Sequence, residues 1–248
     1  MKVIDSHCDA IYKMLLDPKI DFDGDPSPDV NYARLKQGNV VLQCFAVYLP
    51  EQFAPHQFAQ MLEGIDRFHL KIASHPGVEW VRTRQDLERA VCSGKVGAML
   101  TVEGADAIQG NSVYLRTLYR LGVRMLSLTW NFGNWAADGV LEPRNGGLTV
   151  KGKSFVKECG ELGMLLDISH LSERAFWDAA EACAHPLAAS HSNCAAVCPH
   201  PRNLTDEQIV CIIRRGGIVG LTFVPYFVAN GSATMADLLR HIDHVASL

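Results

Sequence analysis

The sequence lacks a run of about 18 or more consecutive apolar residues, so no segment reads as a membrane-spanning helix. It lacks an apolar stretch near its start, where Met1 and Lys2 lead directly to Asp5, and this reads as a cytoplasmic protein without a secretory leader. It lacks an excess of basic residues: the net charge is −4, which gives no field for nucleic acid or an anionic membrane surface. The eight cysteines include no Cys-x-x-Cys pair, so they read as free thiols of a reducing compartment rather than a disulfide or zinc-finger framework. There is no Gly-x-Ser-x-Gly elbow, which removes the common signature of a serine hydrolase. Repeats, low-complexity segments and an interdomain linker are also missing, so residues 1–248 read as one domain.

What is present is an alternation of short apolar runs with longer helical patterns. Strands are expected at 3–8, 40–48, 96–102, 124–129, 164–169, 187–190 and 217–223. Helices are expected near 56–74, 84–93, 111–121, 150–161, 172–184, 205–215 and 234–247. Thr205 with Gln208 has the form of a capping box, and Gly163 and Gly216 fall where helices end. Strand, helix, strand in regular order predicts a parallel sheet with helical crossovers.

Polar residues at the strand ends choose between an open sheet and a barrel. A dinucleotide-binding sheet would have a glycine-rich turn after its first strand. Here that position holds Asp5-Ser6-His7-Cys8-Asp9. Residues two apart on a strand share a face, so His7 and Asp9 are expected to point the same way. Glu103 ends the run Ala98–Val102, His170 follows Leu165–Ser169, and His191 follows Leu187–Ser190, each His directly after a serine. Taken alone, each has an ordinary explanation: a turn-capping His and Asp, a helix-start carboxylate, a hydrogen-bonded core His. Taken together they are ligand-type side chains at the ends of four strands, which a β/α barrel gathers at one mouth.

Three imidazoles and two carboxylates exceed what one tetrahedral zinc with an open position requires. They suit two divalent cations about 3.5–4 Å apart that share one carboxylate. The expected arrangement is His7, Asp9 and Glu103 on one Zn2+, and Glu103, His170 and His191 on the other, with Glu103 bridging and also handling protons. No strand candidate ends in a lysine of the carbamylated type, since Lys95 precedes its strand.

The same residues carry a family resemblance. Asp-Ser-His-Cys-Asp (5–9), Thr-Val-Glu-Gly-Ala (101–105), Leu-Ser-Leu-Thr-Trp-Asn (126–131), Leu-Asp-Ile-Ser-His-Leu-Ser (166–172), Ala-Ser-His-Ser-Asn (189–193) and Pro-Arg-Asn-Leu-Thr-Asp-Glu (201–207) resemble the membrane (renal) dipeptidase family in matching order. The resemblance implies a TIM-type β/α barrel with two zinc ions, or another divalent metal, that hydrolyses dipeptides, often with a D-residue at the C-terminal position. It implies that His7, Asp9, Glu103, His170 and His191 are the ligands, that Arg202 clamps the substrate carboxylate, and that the partner is a small peptide and a second copy of the chain. Where some members have a substrate-steadying His, this sequence has Trp130; its indole N–H, or Asn131 or Asn134, is the available donor. The resemblance also implies an eighth strand finishing in Asp-Phe-Asp-Gly, whose first Asp holds the substrate's free amine. The pattern here gives about seven strands of eight, so a barrel lacking its last β/α unit is expected. Asp21-Phe22-Asp23-Gly24 repeats those letters in a loop after the first strand and is read as coincidence. Two other readings fit the same scaffold: a metal-dependent amidohydrolase of different substrate range, and a non-catalytic metal- or peptide-binding protein.

Overall fold

The structure is a computed structural model that describes residues 1–50, 55 and 57–248; position 56, where a helix was expected to begin, lies outside the described residues. The chain forms two compact units, Met1–Leu126 and Ser127–Leu248.

The first unit contains β1 (Val3–Asp5), α1 (Ala10–Leu16), α2 (Tyr32–Gln37), β2 (Val40–Tyr48), α3 (Phe58–Phe68) with a π-helical turn at His69–Ala73, β3 (Val78–Trp80), α4 (Arg84–Ser93), β4 (Val96–Glu103), α5 (Ser112–Arg120) and β5 (Val123–Ser127), whose last residue opens the second unit. All pairings are parallel. β1 lies on β2, β2 runs along β4 from Leu42↔Gly97 to Tyr48↔Glu103, and the other edge of β4 takes β3 first and β5 further on. Residues 42–47 of β2 are buried without alternation, as expected of a parallel strand covered on both faces. Phe45 on β2 meets Phe22 edge-on at 5.7 Å between ring centres, and Phe68 of α3 at 6.0 Å. All three rings are fully buried, each worth about 1.5–3 kcal/mol of transfer free energy. Phe22 belongs to the Asp-Phe-Asp-Gly loop, and Asp23 of that loop lies 3.3 Å from His75. The loop thus has a packing role in this unit.

The second unit contains α6 (Val150–Leu162), β6 (Leu165–Asp167), α7 (Glu173–Ala182), β7 (Leu187–Ala189), α8 (Asp206–Arg214), β8 (Ile218–Val219), α9 (Pro225–Val228) and α10 (Met235–Ser247). β6, β7 and β8 are parallel, in the register Leu166↔Leu187 and Ala188↔Ile218. Helices α6, α7, α8 and α10 start on side-chain caps that absorb backbone N–H groups left over at a helix start. Thr149 caps α6, Ser172 caps α7, and Thr205 with Gln208 forms the expected capping box on α8. Gly163 ends α6 at φ +77°, a conformation costly to any residue with a side chain. Among the described residues no helix is long and apolar enough to cross a membrane.

The expected bounds of 40–48 and 84–93 coincide with β2 and α4. Five expected strands are shorter than predicted, and one of them matters for the site. β1 ends at Asp5, whose Oδ1 accepts a hydrogen bond from the His7 N–H at 3.1 Å and turns the chain out of the strand. His7 and Asp9 are therefore not strand neighbours sharing a face. His7 lies in the turn, and Asp9 occupies the N-cap position of α1. β3, α1, α2 and α9 are further elements that the sequence pattern did not announce.

Candidate metal centre

In the first unit, two parallel strands bring ligand-type groups to their carboxyl ends. Glu103 is the last residue of β4 and is buried, while His7 follows β1 by two residues. His7 Nε2 lies 3.6 Å from Asp9 Oδ1 and 3.8 Å from Glu103 Oε2. Asp9 sits where a residue usually caps a helix, yet its side chain makes no cap hydrogen bond. The turn-capping explanation of this motif therefore does not hold for Asp9, and its carboxylate faces His7 instead. Burial pushes the intervening Cys8 thiol well above its ordinary pKa, so it is a packed apolar side chain rather than the thiolate a metal takes. The set is one imidazole nitrogen and two carboxylates, a donor chemistry that suits zinc, manganese or cobalt.

In the second unit, His170 and His191 follow β6 and β7. Their Nε2 atoms are 2.9 Å apart. His170 Nδ1 lies 2.9 Å from Asn131 Oδ1. An amide oxygen only accepts, so the ring hydrogen of His170 is on Nδ1 and its Nε2 bears a lone pair. His191 Nδ1 lies 2.6 Å from Ser190 Oγ, and that hydroxyl lies 2.6 Å from Asp167 Oδ2. With Nδ1 of each ring engaged from behind, the two Nε2 atoms converge on one point. The donor set therefore fits a metal, and neutral imidazole with its second nitrogen fixed is the form in which His ligates.

His170 has φ +71°, a left-handed conformation that costs a non-glycine residue about 1–2 kcal/mol. Its carbonyl, which accepts from Val140 N at 2.8 Å and Thr129 Oγ1 at 3.3 Å, holds it there. Strain at a residue so tightly specified is typical of functional positions. His241 provides a contrast within the same unit. It is fully buried, Nδ1 accepts from Cys194 N at 3.1 Å and Nε2 donates to Val228 O at 3.0 Å. Both its nitrogens serve the backbone, as in an ordinary core histidine.

Of the other expected residues, Arg202 is 5% exposed. Its guanidinium donates to His191 O at 3.2 Å and Ser192 Oγ at 3.4 Å and lies over the Phe227 ring at 5.5 Å. It lines a cavity of about 330 Å³ together with His170, His200 and Glu173. Burial, and then the Arg202 charge, hold the His200 pKa below its usual value. The Trp130 ring lies 6.0 Å from the His170 ring. Asn134 and Asp138 hold the loop that follows β5. Asn134 donates to Leu128 O at 2.8 Å, and Asp138 grips Arg144 and the Gly146 N–H. Asp167 and Ser190 were not anticipated. The serine before each His was visible in the sequence, but nothing in the pattern said that Asp167 reaches across from β6 to Ser190.

Imidazoles and carboxylates at the carboxyl ends of parallel strands define the class: a divalent-metal protein on an α/β scaffold. The family model described as membrane dipeptidase (peptidase family M19) matches residues 1–248, and the chain belongs to that family of metallopeptidases. It is 39% identical over 175 residues to an uncharacterized protein in the pqqA 5′ region of Klebsiella pneumoniae, covering 66% of this chain and 64% of that one. It is 31% identical to dipeptidase verJ of Clonostachys rogersoniana over 86% of this chain and 58% of that protein, so it spans less than two thirds of both relatives. Among solved structures it resembles a metallopeptidase of Rhodobacter sphaeroides, liganded with a phosphinate mimic of the dipeptide L-Ala-D-Ala. The TM-score is 0.90 at 29% identity, covering 100% of this chain and 82% of the other. The mixed α/β, TIM-type fold class expected from the sequence is the one found.

Proposed function

We propose that this protein hydrolyses the peptide bond of dipeptides, including those with a C-terminal D-residue, using two divalent cations, zinc being the first choice. His7, Asp9 and Glu103 would hold one, and Glu103, His170 and His191 the other, with Glu103 shared. The observation that carries this reading is the convergence of the Nε2 atoms of His170 and His191, 2.9 Å apart, each ring fixed from behind by Asn131 or Ser190. Support for dipeptides as substrates comes from the family match and from the dipeptide mimic bound to the Rhodobacter relative.

Cations held there would bring the pKa of a water towards about 7 and polarise the scissile carbonyl. The chain's own groups do the rest. Glu103 takes a proton from the attacking water and returns it to the leaving amine. Arg202 offers a planar fork to the terminal carboxylate of the substrate, a geometry that lysine does not reproduce. Trp130 borders the His170 side of the site and supplies an indole N–H to substrate oxygen.

The test is hydrolysis of L-Ala-D-Ala and L-Ala-L-Ala by purified protein, before and after removal of metal with a chelator, and after adding zinc, manganese or cobalt back. Metal-dependent cleavage that returns on reconstitution supports the proposal. Cleavage that persists in metal-free protein, or N-acyl amino acids cleaved while free dipeptides are not, would overturn it.

A further inference from the structure

We infer that Asp167 is a positioning residue for His191: acting through the Ser190 hydroxyl, it decides which ring nitrogen of His191 carries the hydrogen and hence which one faces a metal. The inference rests on the proposed reading of His191 as a ligand.

The geometry fixes the direction of each hydrogen bond. Asp167 ends β6 and is buried. Its Oδ1 accepts from two backbone donors, Ser169 N at 3.1 Å and Ser190 N at 3.0 Å. Its Oδ2 faces Ser190 Oγ at 2.6 Å. A carboxylate only accepts, so the Ser190 hydroxyl hydrogen goes to Asp167. The rival acceptor, Ser169 Oγ, is 3.4 Å away and neutral, and the short charge-assisted bond wins. Ser190 Oγ has then given up its only hydrogen. Its 2.6 Å contact with His191 Nδ1 must be a bond in which the ring donates. The hydrogen is on Nδ1, and Nε2 is left as the ligating atom. The two backbone bonds to Oδ1 matter as much as the bond to Oδ2, because they prevent the carboxylate from rotating.

This makes Asp167→Asn more than the loss of a charge. The asparagine keeps its oxygen on the two backbone N–H groups, so its NH2 takes the place facing Ser190 Oγ. That NH2 donates to the hydroxyl, the hydroxyl turns its own hydrogen to His191 Nδ1, and the ring hydrogen moves to Nε2. The relay runs backwards, and His191 presents an N–H where a lone pair is needed. Ser190→Ala removes the relay without reversing it and leaves either tautomer open.

The experiment combines zinc affinity, from competition with a chromophoric chelator, with nitrogen-15 NMR of the histidine rings in metal-free protein at a pH where they are neutral. In the wild type the hydrogen of His191 is expected on Nδ1. Asp167→Asn is expected to move it to Nε2 and to weaken zinc binding about 10–100-fold, the range typical of such supporting groups. Ser190→Ala is expected to lose less. The double variant Asp167→Asn with Ser190→Ala is expected to bind zinc more tightly than Asp167→Asn alone, because no hydroxyl remains to donate to the ring. A purely structural role for Asp167 would instead make the double variant at least as weak as the single one. That result overturns the inference, as does a wild-type His191 with its hydrogen on Nε2, a measurement that needs no variant. If the wild type shows the Nδ1 tautomer but binds no zinc, the metal reading fails while the relay stands.

Discussion

Asn131 Oδ1 accepts the Nδ1–H of His170 at 2.9 Å, and this one contact orients a ring whose backbone is already held in a left-handed conformation. The two constraints act on different bonds: the backbone aims the side chain, and the amide sets its rotation and its tautomer.

Asn131→Ala is expected to lower metal affinity about 10–100-fold, because the ring loses the partner that fixes it. Asn134→Ala, three residues on, removes hydrogen bonds that shape the loop and is expected to cost about 1 kcal/mol of stability for each. Chelator competition and thermal denaturation on both variants separate the two. Equal loss of metal affinity in both would contradict the distinction.

Arg202→Lys keeps a positive charge and loses the planar fork. A hydrogen bond to a charged group is worth about 1.5–3 kcal/mol, so KM for a dipeptide is expected to rise about 10–100-fold with kcat changed less. Steady-state kinetics on the free dipeptide and on its C-terminal amide check this. The amide lacks the carboxylate, so its cleavage should be nearly indifferent to the substitution.

Asp86 gives a pH-dependent stability term away from the site. Burial raises its pKa, but hydrogen bonds from Arg82 N, from the Thr83 hydroxyl and N–H and from Arg89 outweigh burial and hold the carboxyl at about 2, against an ordinary 3.8. A lowered folded-state pKa means that the native state favours the charged form. The stability it brings is fully present above about pH 4 and is lost as pH falls through about 2. It amounts to about 2 kcal/mol. Asp86→Asn is therefore expected to lower stability at pH 7 by about that much and to flatten the fall in stability between pH 4 and pH 2. Urea unfolding at several pH values measures both.

How far the sequence could be read depended on whether the deciding contacts were local. α4 was bounded correctly because Thr83 and Asp86 form a box at one end and Gly94, at φ +68°, closes the other. β2 was bounded correctly because a long buried run follows Gly38-Asn39 and stops short of Pro50, which cannot donate to a sheet ladder. β3 is three residues long and exists only through its pairing with the first residues of β4, a contact that no local pattern announces. β1 was predicted too long because the bond from His7 N to Asp5, which ends it, competes with an apolar pattern that runs on to Cys8. The ligand-type residues stood out by being polar at strand ends. Asp167 did not, because its partner Ser190 is 23 residues away and the two meet only when β6 and β7 pair.

The central claim is that His170 and His191, and likewise His7, Asp9 and Glu103, are metal ligands. The most direct measurement is anomalous diffraction at the zinc edge from crystals of the protein grown with zinc. The account predicts a peak within about 2.0–2.2 Å of both Nε2 atoms of His170 and His191, and a second at His7, Asp9 and Glu103. A zinc-loaded crystal with no peak at either set, or with zinc bound only elsewhere, would contradict it.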